Sequence, residues 1–198
     1  MKKVSKLFMA SIVVIGSCYL LLFVISGLYS PQAEHVPFLN DDRVISPEVE
    51  KYRPLIAKYA AKNGIASYTD LLVAVAMQES RGKSADVMQS AESRGRPKGS
   101  IRDPEQSIAT GVRYFKQALD RSGGDMELAL QSYNFGIGFA DFVRQRGRRF
   151  TPALARRFSR QKAHELGWRR YGDPDYVAHV MRYYHNEQQK RSIAEKEK

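Results

Sequence analysis

Apolar side chains recur at helical spacing along most of the chain after residue 46. They line one face of segments over about 47–63 and 104–121, and further helices are predicted over about 125–133, 139–146, 152–166 and 174–189. No stretch shows the sustained alternation of apolar and polar residues that indicates β-strands. The pattern therefore predicts an all-α domain over 46–186, preceded by a linker over 31–45 and followed by a charged tail over 187–198.

One predicted helix, over about 70–80, differs from the others because residues 71–77 are all apolar. A helix that is apolar on every side lies in the interior of a domain. The segment that follows, 81–100, has no helical period and is rich in Gly, Ser and Lys. Irregular segments of this length inside a domain are usually functional or mobile.

Several helix starts are indicated by a capping residue that precedes a proline. A side-chain oxygen at the cap accepts a hydrogen bond from a free amide of the first turn, and proline suits the first helical position. The pairs are Ser46-Pro47, Asp103-Pro104, Thr151-Pro152 and Asp173-Pro174. Asp125 is predicted to cap the helix that follows it.

The first 30 residues have the properties of a membrane anchor. Residues 7–29 contain no charge and follow Lys2, Lys3 and Lys6, and the run is long enough to cross a hydrocarbon core of about 30 Å. The basic flank stays in the cytoplasm, so the domain faces outward. A cleaved signal peptide, or a lipoprotein acylated at Cys18, are alternatives that place the domain on the same side.

The net charge of the chain limits the classes of partner that it is expected to bind. The 198-residue chain has 32 Lys and Arg against 21 Asp and Glu, a formal net charge of +11. Nucleic acid, an anionic membrane and an anionic wall polymer all attract a basic protein, but an outer domain does not meet nucleic acid as its working partner. The cluster Arg144, Arg146, Arg148, Arg149, Arg156, Arg157, Arg160 and Lys162 is either a solvated helix surface or an attractor of anionic wall polymers. A nucleic-acid-binding function would require the domain to lie in the cytoplasm instead.

Two carboxylates carry the candidate chemistry. Glu79 follows the apolar run directly, where burial and the negative end of the helix dipole are expected to raise its pKa. Asp86, in the irregular segment, is expected to be more solvated and ionised. Such a contrast is typical of the acid and base of a glycosidase. The alternative is that Glu79 pairs with Arg81 and Asp86 is an ordinary loop residue.

Other chemistry has little support in the sequence. The four histidines show no metal-ligand spacing, and no His-Glu-x-x-His motif occurs. No Gly-x-Ser-x-Gly motif is present, and the single cysteine lies within the apolar N-terminal run. We therefore predict neither a metal site nor a cofactor.

Several motifs together resemble the bacterial lysozyme-like family of CwlT-type muramidase domains and pneumococcal vaccine antigen A. They are Met77-Gln78-Glu79-Ser80, Asp86-Val87-Met88-Gln89-Ser90-Ala91-Glu92-Ser93, Asp103-Pro104-Glu105-Gln106-Ser107-Ile108, Gln131-Ser132-Tyr133-Asn134-Phe135-Gly136, Tyr171-Gly172-Asp173-Pro174 and Val180-Met181-Arg182-Tyr183-Tyr184. The match covers roughly residues 46–186 in order.

This resemblance implies a goose-type lysozyme fold with a cleft for peptidoglycan glycan strands. It implies an N-acetylmuramidase that cleaves a β-1,4 bond, with Glu79 as the general acid and Asp86 as the second carboxylate. The positions that match sugar-contacting residues of the family are Gln89, Tyr133, Asn134 and Tyr184.

The chain is also similar, more distantly, to lytic transglycosylases, which use one catalytic Glu and release 1,6-anhydromuramic products. Those enzymes have Gly where this chain has Asp86, a difference that favours hydrolysis. Transglycosylase activity, or a wall-binding protein without turnover, therefore stay as alternatives to the muramidase.

Overall fold

The computed structural model describes residues 44–91, 95, 97, 99–147 and 149–196 of the chain. Every regular element in that part is helical, which confirms the all-α prediction there. In chain order the helices are α1 (Pro47–Glu50), α2 (Arg53–Lys62), α3 (Thr69–Ser80), α4 (Pro104–Arg121), α5 (Met126–Phe135), α6 (Gly138–Arg144), α7 (Pro152–Leu166) and α8 (Tyr176–Lys196). A short 3-10 turn, Ala66–Tyr68, connects α2 to α3.

The predicted membrane anchor over 1–30 lies outside the described residues. In the part of the chain that is described, no helix has both the length and the apolar composition needed to cross a membrane.

Helix α3 is buried in the centre of the domain, as its composition predicts. All of residues 71–77 are buried, and α2 and α8 pack against the helix. Each large apolar side chain buried in this way contributes about 1.5–3 kcal/mol relative to its exposed state. The apolar run therefore places the C-terminal end of α3 on a rigid support.

Helix α5 contacts α4, α6 and α8, and it takes part in two apolar clusters. The larger cluster surrounds α3. The smaller one is rich in aromatic rings that pack mostly edge to face, with the centroids of Phe142 and Phe158 4.9 Å apart and those of Phe139 and Phe158 5.0 Å apart. Phe135, at the end of α5, belongs to this aromatic cluster.

Three of the predicted caps are confirmed. The side chains of Asp103, Asp125 and Thr151 each accept a hydrogen bond from a backbone amide in the first turn of α4, α5 and α7, at 3.0, 3.0 and 3.2 Å respectively. A cap of this kind stabilises its helix by about 1 kcal/mol.

The cap predicted at Ser46 is wrong, because its hydroxyl donates to the carbonyl of Arg81 at 3.2 Å instead of accepting from α1. The Asp173 side chain accepts from the amide of Asp175 at 3.0 Å, within a turn, and α8 begins only at Tyr176.

The single helix predicted over 47–63 is split into α1 and α2. Pro54 lies in the first turn of α2. Proline has no amide hydrogen, and its ring clashes with the carbonyl four residues earlier. A continuous helix is therefore disfavoured at this position, and the chain forms a turn at residues 51–52.

Helix α8 continues through Lys196, beyond its predicted end at 189 and into the segment predicted as a charged tail. Glu187, the first residue of that predicted tail, accepts a hydrogen bond from Arg53 on α2 at 3.3 Å. This ion pair joins the start of the predicted tail to the domain.

Candidate active site

Helix α3 carries Glu79 from the core to the edge of the domain. Glu79 lies two residues after the buried run ends at Met77, and its side chain is half-buried. The helix ends at Ser80, and Arg81 adopts a left-handed backbone conformation with φ 54°. The chain changes direction here and continues into the irregular segment, so Glu79 lies just before that segment.

A buried phenol orients the Glu79 carboxyl group. The Tyr176 hydroxyl donates a hydrogen bond to Glu79 Oε1 at 2.6 Å, and the Tyr176 side chain is only 2% exposed. Burial, and then the negative charge of Glu79, raises the pKa of Tyr176 well above its usual range. The phenol therefore stays protonated and acts as a permanent donor to Glu79.

Glu79 lines a cleft of about 430 Å³, a size within the usual range for small-molecule sites. The other lining residues are Gln89, Ser90, Tyr114, Tyr133, Asn134, Phe135, Gly136, Trp168, Tyr171 and Gly172. The irregular segment, α4, α5 and the loop between α7 and α8 all contribute to this wall. The cleft combines aromatic rings with amide and hydroxyl groups, the composition expected of a site that binds sugar rings.

The structure brings Gln89, Tyr133 and Asn134 into the same cleft as Glu79. Gln89 has φ 46°, which is uncommon for a residue other than glycine and is a form of strain that concentrates at functional sites. Its Nε2 donates to the backbone oxygen of Asp86 at 2.9 Å. Asn134 Oδ1 accepts from the backbone amide of Asp173 at 2.7 Å, so the loop holds this side chain in place.

Tyr133 lines the cleft and lies near both candidate carboxylates. It is 8% exposed, and its hydroxyl donates to the carbonyl of Met88 at 2.8 Å. Its pKa is raised well above the usual range by burial first, and then by the negative charges of Glu79 and of Asp86. Both carboxylates therefore lie near enough to influence one buried phenol.

Asp86 is not solvated, and that expectation is wrong. Its side chain is 1% exposed, and it does not line the cleft. Oδ1 accepts from the Ser107 hydroxyl at 2.6 Å and from the Ser90 amide at 2.9 Å, while Oδ2 accepts from the Ala91 amide at 3.2 Å. The carboxylate is buried because these donors, from α4 and from the irregular segment itself, replace water. It thereby fixes the segment that carries Gln89.

Tyr184 does not line the cleft. It is half-buried on α8, where it packs against the larger apolar cluster and lies beside the ring of His185. The structure thus separates it from the other residues that were predicted to contact sugars.

The loop between α7 and α8 was not predicted to form part of the site, although Tyr171-Gly172-Asp173-Pro174 lies within the family resemblance. Asp173 anchors it: its amide donates to Asn134, and its carbonyl accepts from Gln131 Nε2 at 2.8 Å. Trp168 and Tyr171 in this loop line the cleft. The sequence feature that could have indicated this part of the site is the single tryptophan, which lies in a polar, arginine-rich stretch.

Several members of the basic cluster form ion pairs within the protein. Arg144 pairs with Asp141, Arg156 with Asp175 at 3.0 Å, and Lys162 with Glu165 at 2.7 Å. Arg157 and Arg160 are exposed and have no ion-pair partner among the described residues. Arg148 lies outside them.

Metal chemistry has no candidate in the described ranges, where no group of three or more His, Cys, Asp or Glu side chains could hold an ion. The chemistry available in the cleft is that of Glu79, Tyr176 and the amide and hydroxyl groups around them.

Comparisons with known proteins show the family to which the chain belongs. A family model described as Lysozyme-like matches residues 46–194. The bifunctional muramidase/DL-endopeptidase CwlT of Bacillus subtilis (strain 168) is 50% identical over 139 residues, which cover 70% of this chain and 42% of that protein. The chain therefore spans less than half the length of this relative.

Two further matches extend over similar lengths. Pneumococcal vaccine antigen A of Streptococcus pneumoniae serotype 4 is 31% identical over 141 residues, covering 70% of this chain and 69% of that protein. A crystal structure of a Staphylococcus aureus protein, described as similar to a lipoprotein of the NLP/P60 family, superposes with a TM-score of 0.65. It is 37% identical and covers 71% of this chain and 54% of that one. The resemblance seen in the motifs is confirmed, and the chain belongs to the Lysozyme-like family.

Proposed function

We propose that this protein is a peptidoglycan hydrolase that cleaves the glycan strand at the β-1,4 bond following N-acetylmuramic acid. The observation that carries the proposal is the position of Glu79, half-buried in the cleft with its carboxyl group oriented by Tyr176. Membership of the Lysozyme-like family, with a relative named as a muramidase, supports a glycosidase over other uses of a carboxylic acid.

Glu79 is the general acid in this mechanism. When the carboxyl group is neutral, the hydrogen bond that Tyr176 donates to Oε1 leaves the acidic proton on Oε2. That proton passes to the glycosidic oxygen as its bond to the sugar C1 breaks, and positive charge develops on the departing ring. Water then adds to C1 and releases a proton, which balances the one that Glu79 donated and restores its acidic form, and N-acetylmuramic acid is left with a reducing end.

Asp86 is the second carboxylate of the proposal. A second carboxylate either directs the attacking water or stabilises the positively charged sugar, and the surroundings of Asp86 favour stabilisation. Both of its oxygens accept hydrogen bonds from protein groups, and the side chain is buried. Its charge acts through the interior, where electrostatic effects are less screened than in water. Asp86 therefore stabilises the positively charged sugar from behind the cleft wall, while Gln89, Tyr133 and Asn134 line the path of the strand.

The same burial supports a second candidate, a lytic transglycosylase. That reaction needs one catalytic Glu and no carboxylate in contact with water, because the sugar's own hydroxyl closes on C1. Asp86 would then only hold the irregular segment in place. Both candidates use Glu79 in the same role and differ in the group that attacks C1.

The proposed location is the outer face of a cell membrane, with the anchor over 1–30 holding the domain near the wall. Support comes from the uncharged run at 7–29 with its three preceding lysines. Peptidoglycan is the proposed partner, and the exposed Arg157 and Arg160 suit attraction to anionic wall polymers.

Product analysis tests the proposal. The full chain, solubilised in detergent, is incubated with purified peptidoglycan, and the soluble products are examined by mass spectrometry beside a Glu79→Gln control. Hydrolysis predicts products that end in reducing N-acetylmuramic acid. A 1,6-anhydro ring identifies the transglycosylase, whereas binding without any Glu79-dependent product would leave a wall-binding protein and overturn both enzymatic candidates.

A further inference from the structure

Trp168 is the one tryptophan of the chain, and it lines the cleft while remaining 59% exposed. Large aromatic side chains are normally buried on folding, because they gain most from removal from water. This one follows the C-terminal end of α7, where Gly167 adopts a left-handed conformation with φ 68° and ends the helix. The backbone thus presents the indole to solvent in the lining of the site.

The surroundings of Trp168 hold it firmly. Its backbone amide donates to the carbonyl of Ala163 at 2.8 Å. Its ring stacks on that of Tyr171, with centroids 6.1 Å apart and planes inclined by 25°. The Tyr171 hydroxyl in turn donates to the carbonyl of Phe135 at 2.9 Å, and its ring contacts those of Phe135 and Phe158. The exposed indole is therefore supported by the aromatic cluster beneath it.

The neighbouring charges indicate what kind of molecule this surface meets. Arg169 and Arg170 follow Trp168, are exposed, and have no ion-pair partner within the described ranges. A cationic rim beside an aromatic ring suits a carbohydrate that carries carboxylates. Peptidoglycan is such a polymer, because its muramic acid units and stem peptides carry carboxyl groups. Trp168 and Tyr171 also line the same cleft as Glu79.

We propose that Trp168 and Tyr171 form a sugar-binding subsite of the cleft, in which Trp168 packs against the apolar face of a glycan ring away from the bond that is cleaved. This inference rests on the proposed function and adds a substrate-binding residue to it. Binding energy from such a remote contact lowers KM and favours longer strands over short fragments. Arg169 and Arg170 attract the carboxylates of the same strand.

The single tryptophan makes the subsite directly measurable, since tryptophan emission reports on residue 168 alone. The full-length Glu79→Gln variant, in detergent, is titrated with soluble peptidoglycan strands while calorimetry measures binding independently. We expect a shift in emission that follows the binding isotherm, and at least about twofold protection from acrylamide quenching. Calorimetric binding with unchanged emission and unchanged quenching would overturn the subsite and leave the proposed function intact.

Kinetics on the catalytically intact chain complete the test. Trp168→Ala is expected to raise KM about 10-fold, the factor that corresponds to about 1.4 kcal/mol of binding free energy, with kcat nearly unchanged. Trp168→Phe should restore most of the loss. Leu166→Ala, a change of a residue that is 48% exposed but does not line the cleft, is the control and should have no effect. Equal KM values for Trp168→Ala and Leu166→Ala would overturn the subsite, and absence of product from the unmodified chain would overturn the proposed function with it.

Discussion

The hydroxyl of Tyr176 and the carboxyl group of Glu79 are joined by a hydrogen bond of 2.6 Å between residues that are 97 positions apart in the chain. Tyr176 is the first residue of α8, and Glu79 is the penultimate residue of α3. Because α3 and α8 pack closely, a buried donor and a half-buried acid face each other across the helix interface. The orientation of the proposed acid thus depends on the packing of two helices.

Removing this hydrogen bond should impair catalysis more than binding. Tyr176→Phe is expected to lower kcat about 10-fold with little change in KM, because a hydrogen bond to a carboxyl group contributes about 1.5–3 kcal/mol and only the orientation of Glu79 is affected. Tyr183→Phe removes another buried phenol of α8, whose oxygen accepts from Arg182 at 2.9 Å, and serves as the control. Equal kcat values for the two variants would contradict the role of Tyr176.

The charge of Asp86 can be separated from its structural contacts. Asp86→Asn removes the charge, while Ser107→Ala removes the hydrogen bond to Oδ1 at 2.6 Å and the acceptor for the Met88 amide at 3.0 Å. Both should lower the free energy of unfolding by about 1–3 kcal/mol, measured by urea denaturation, because buried groups lose partners.

Only Asp86→Asn should also lower kcat by about 10-fold or more, the loss expected when a charge that stabilises the sugar cation is removed. Similar kcat losses in Asp86→Asn and Ser107→Ala would mean that Asp86 acts by holding the irregular segment.

Gly172 is predicted to be essential for the shape of the cleft. Its φ is 57°, and a Cβ atom there would lie 2.6 Å from Phe135 Cδ1 and 2.7 Å from Asn134 Oδ1. Gly172→Ala should therefore combine backbone strain of about 1–2 kcal/mol with a clash of about 1–3 kcal/mol and should displace Asn134.

Gly64 is the matched control, since its φ is 71° and a Cβ atom would meet nothing within 4 Å. We expect Gly64→Ala to show the backbone strain alone in thermal melts and to keep full activity. A Gly172→Ala variant no less stable and no less active than Gly64→Ala would contradict the packing described here.

The ion pairs of Asp141 predict a loss of stability in acid. Its hydrogen bond with Arg121, and then that with Arg144, lowers the pKa of Asp141 in the folded state below its usual value. The resulting stabilisation is present above the unfolded-state pKa of about 3.9 and is lost as the pH falls through the folded-state value.

Thermal melts of the unmodified chain and of Asp141→Asn should therefore differ at about pH 6, and the difference should shrink as the pH falls below about 3.9. Asp120→Asn, on an exposed pair with Lys116 of the same helix, tests whether any surface carboxylate gives this result. A difference between the unmodified chain and Asp141→Asn that stays constant over the whole range would contradict the linkage.

Local features of the fold could be predicted from the sequence. The caps at Asp103 and Thr151 and the burial of 71–77 depend on neighbouring residues alone, so the pattern was sufficient. The apolar period runs through Pro54 without interruption, so it does not predict the break before Arg53. The contact between Glu187 of α8 and Arg53 of α2 joins residues 134 positions apart, and the linear pattern does not contain it.

The site residues also fall into two groups: those that the sequence predicted correctly and those whose surroundings depend on distant parts of the chain. Glu79, Gln89, Tyr133 and Asn134 were predicted and share the cleft. The burial of Asp86 depends on Ser107, 21 residues away, and could not be derived from the polar composition of its own segment. Tyr184 was placed in the cleft on resemblance alone, and the structure packs it against the apolar cluster instead.

The most direct test of the account is the rate at which Glu79→Gln releases reducing ends from purified peptidoglycan. Gln keeps an oxygen that accepts the hydrogen bond from Tyr176, so the fold and the cleft should be preserved, and unchanged thermal melting checks this. Because a positioned acid contributes about 100-fold or more, we expect the rate to fall by at least that factor. Release of reducing ends at the unmodified rate by a correctly folded Glu79→Gln variant would contradict the assignment of Glu79 as the general acid.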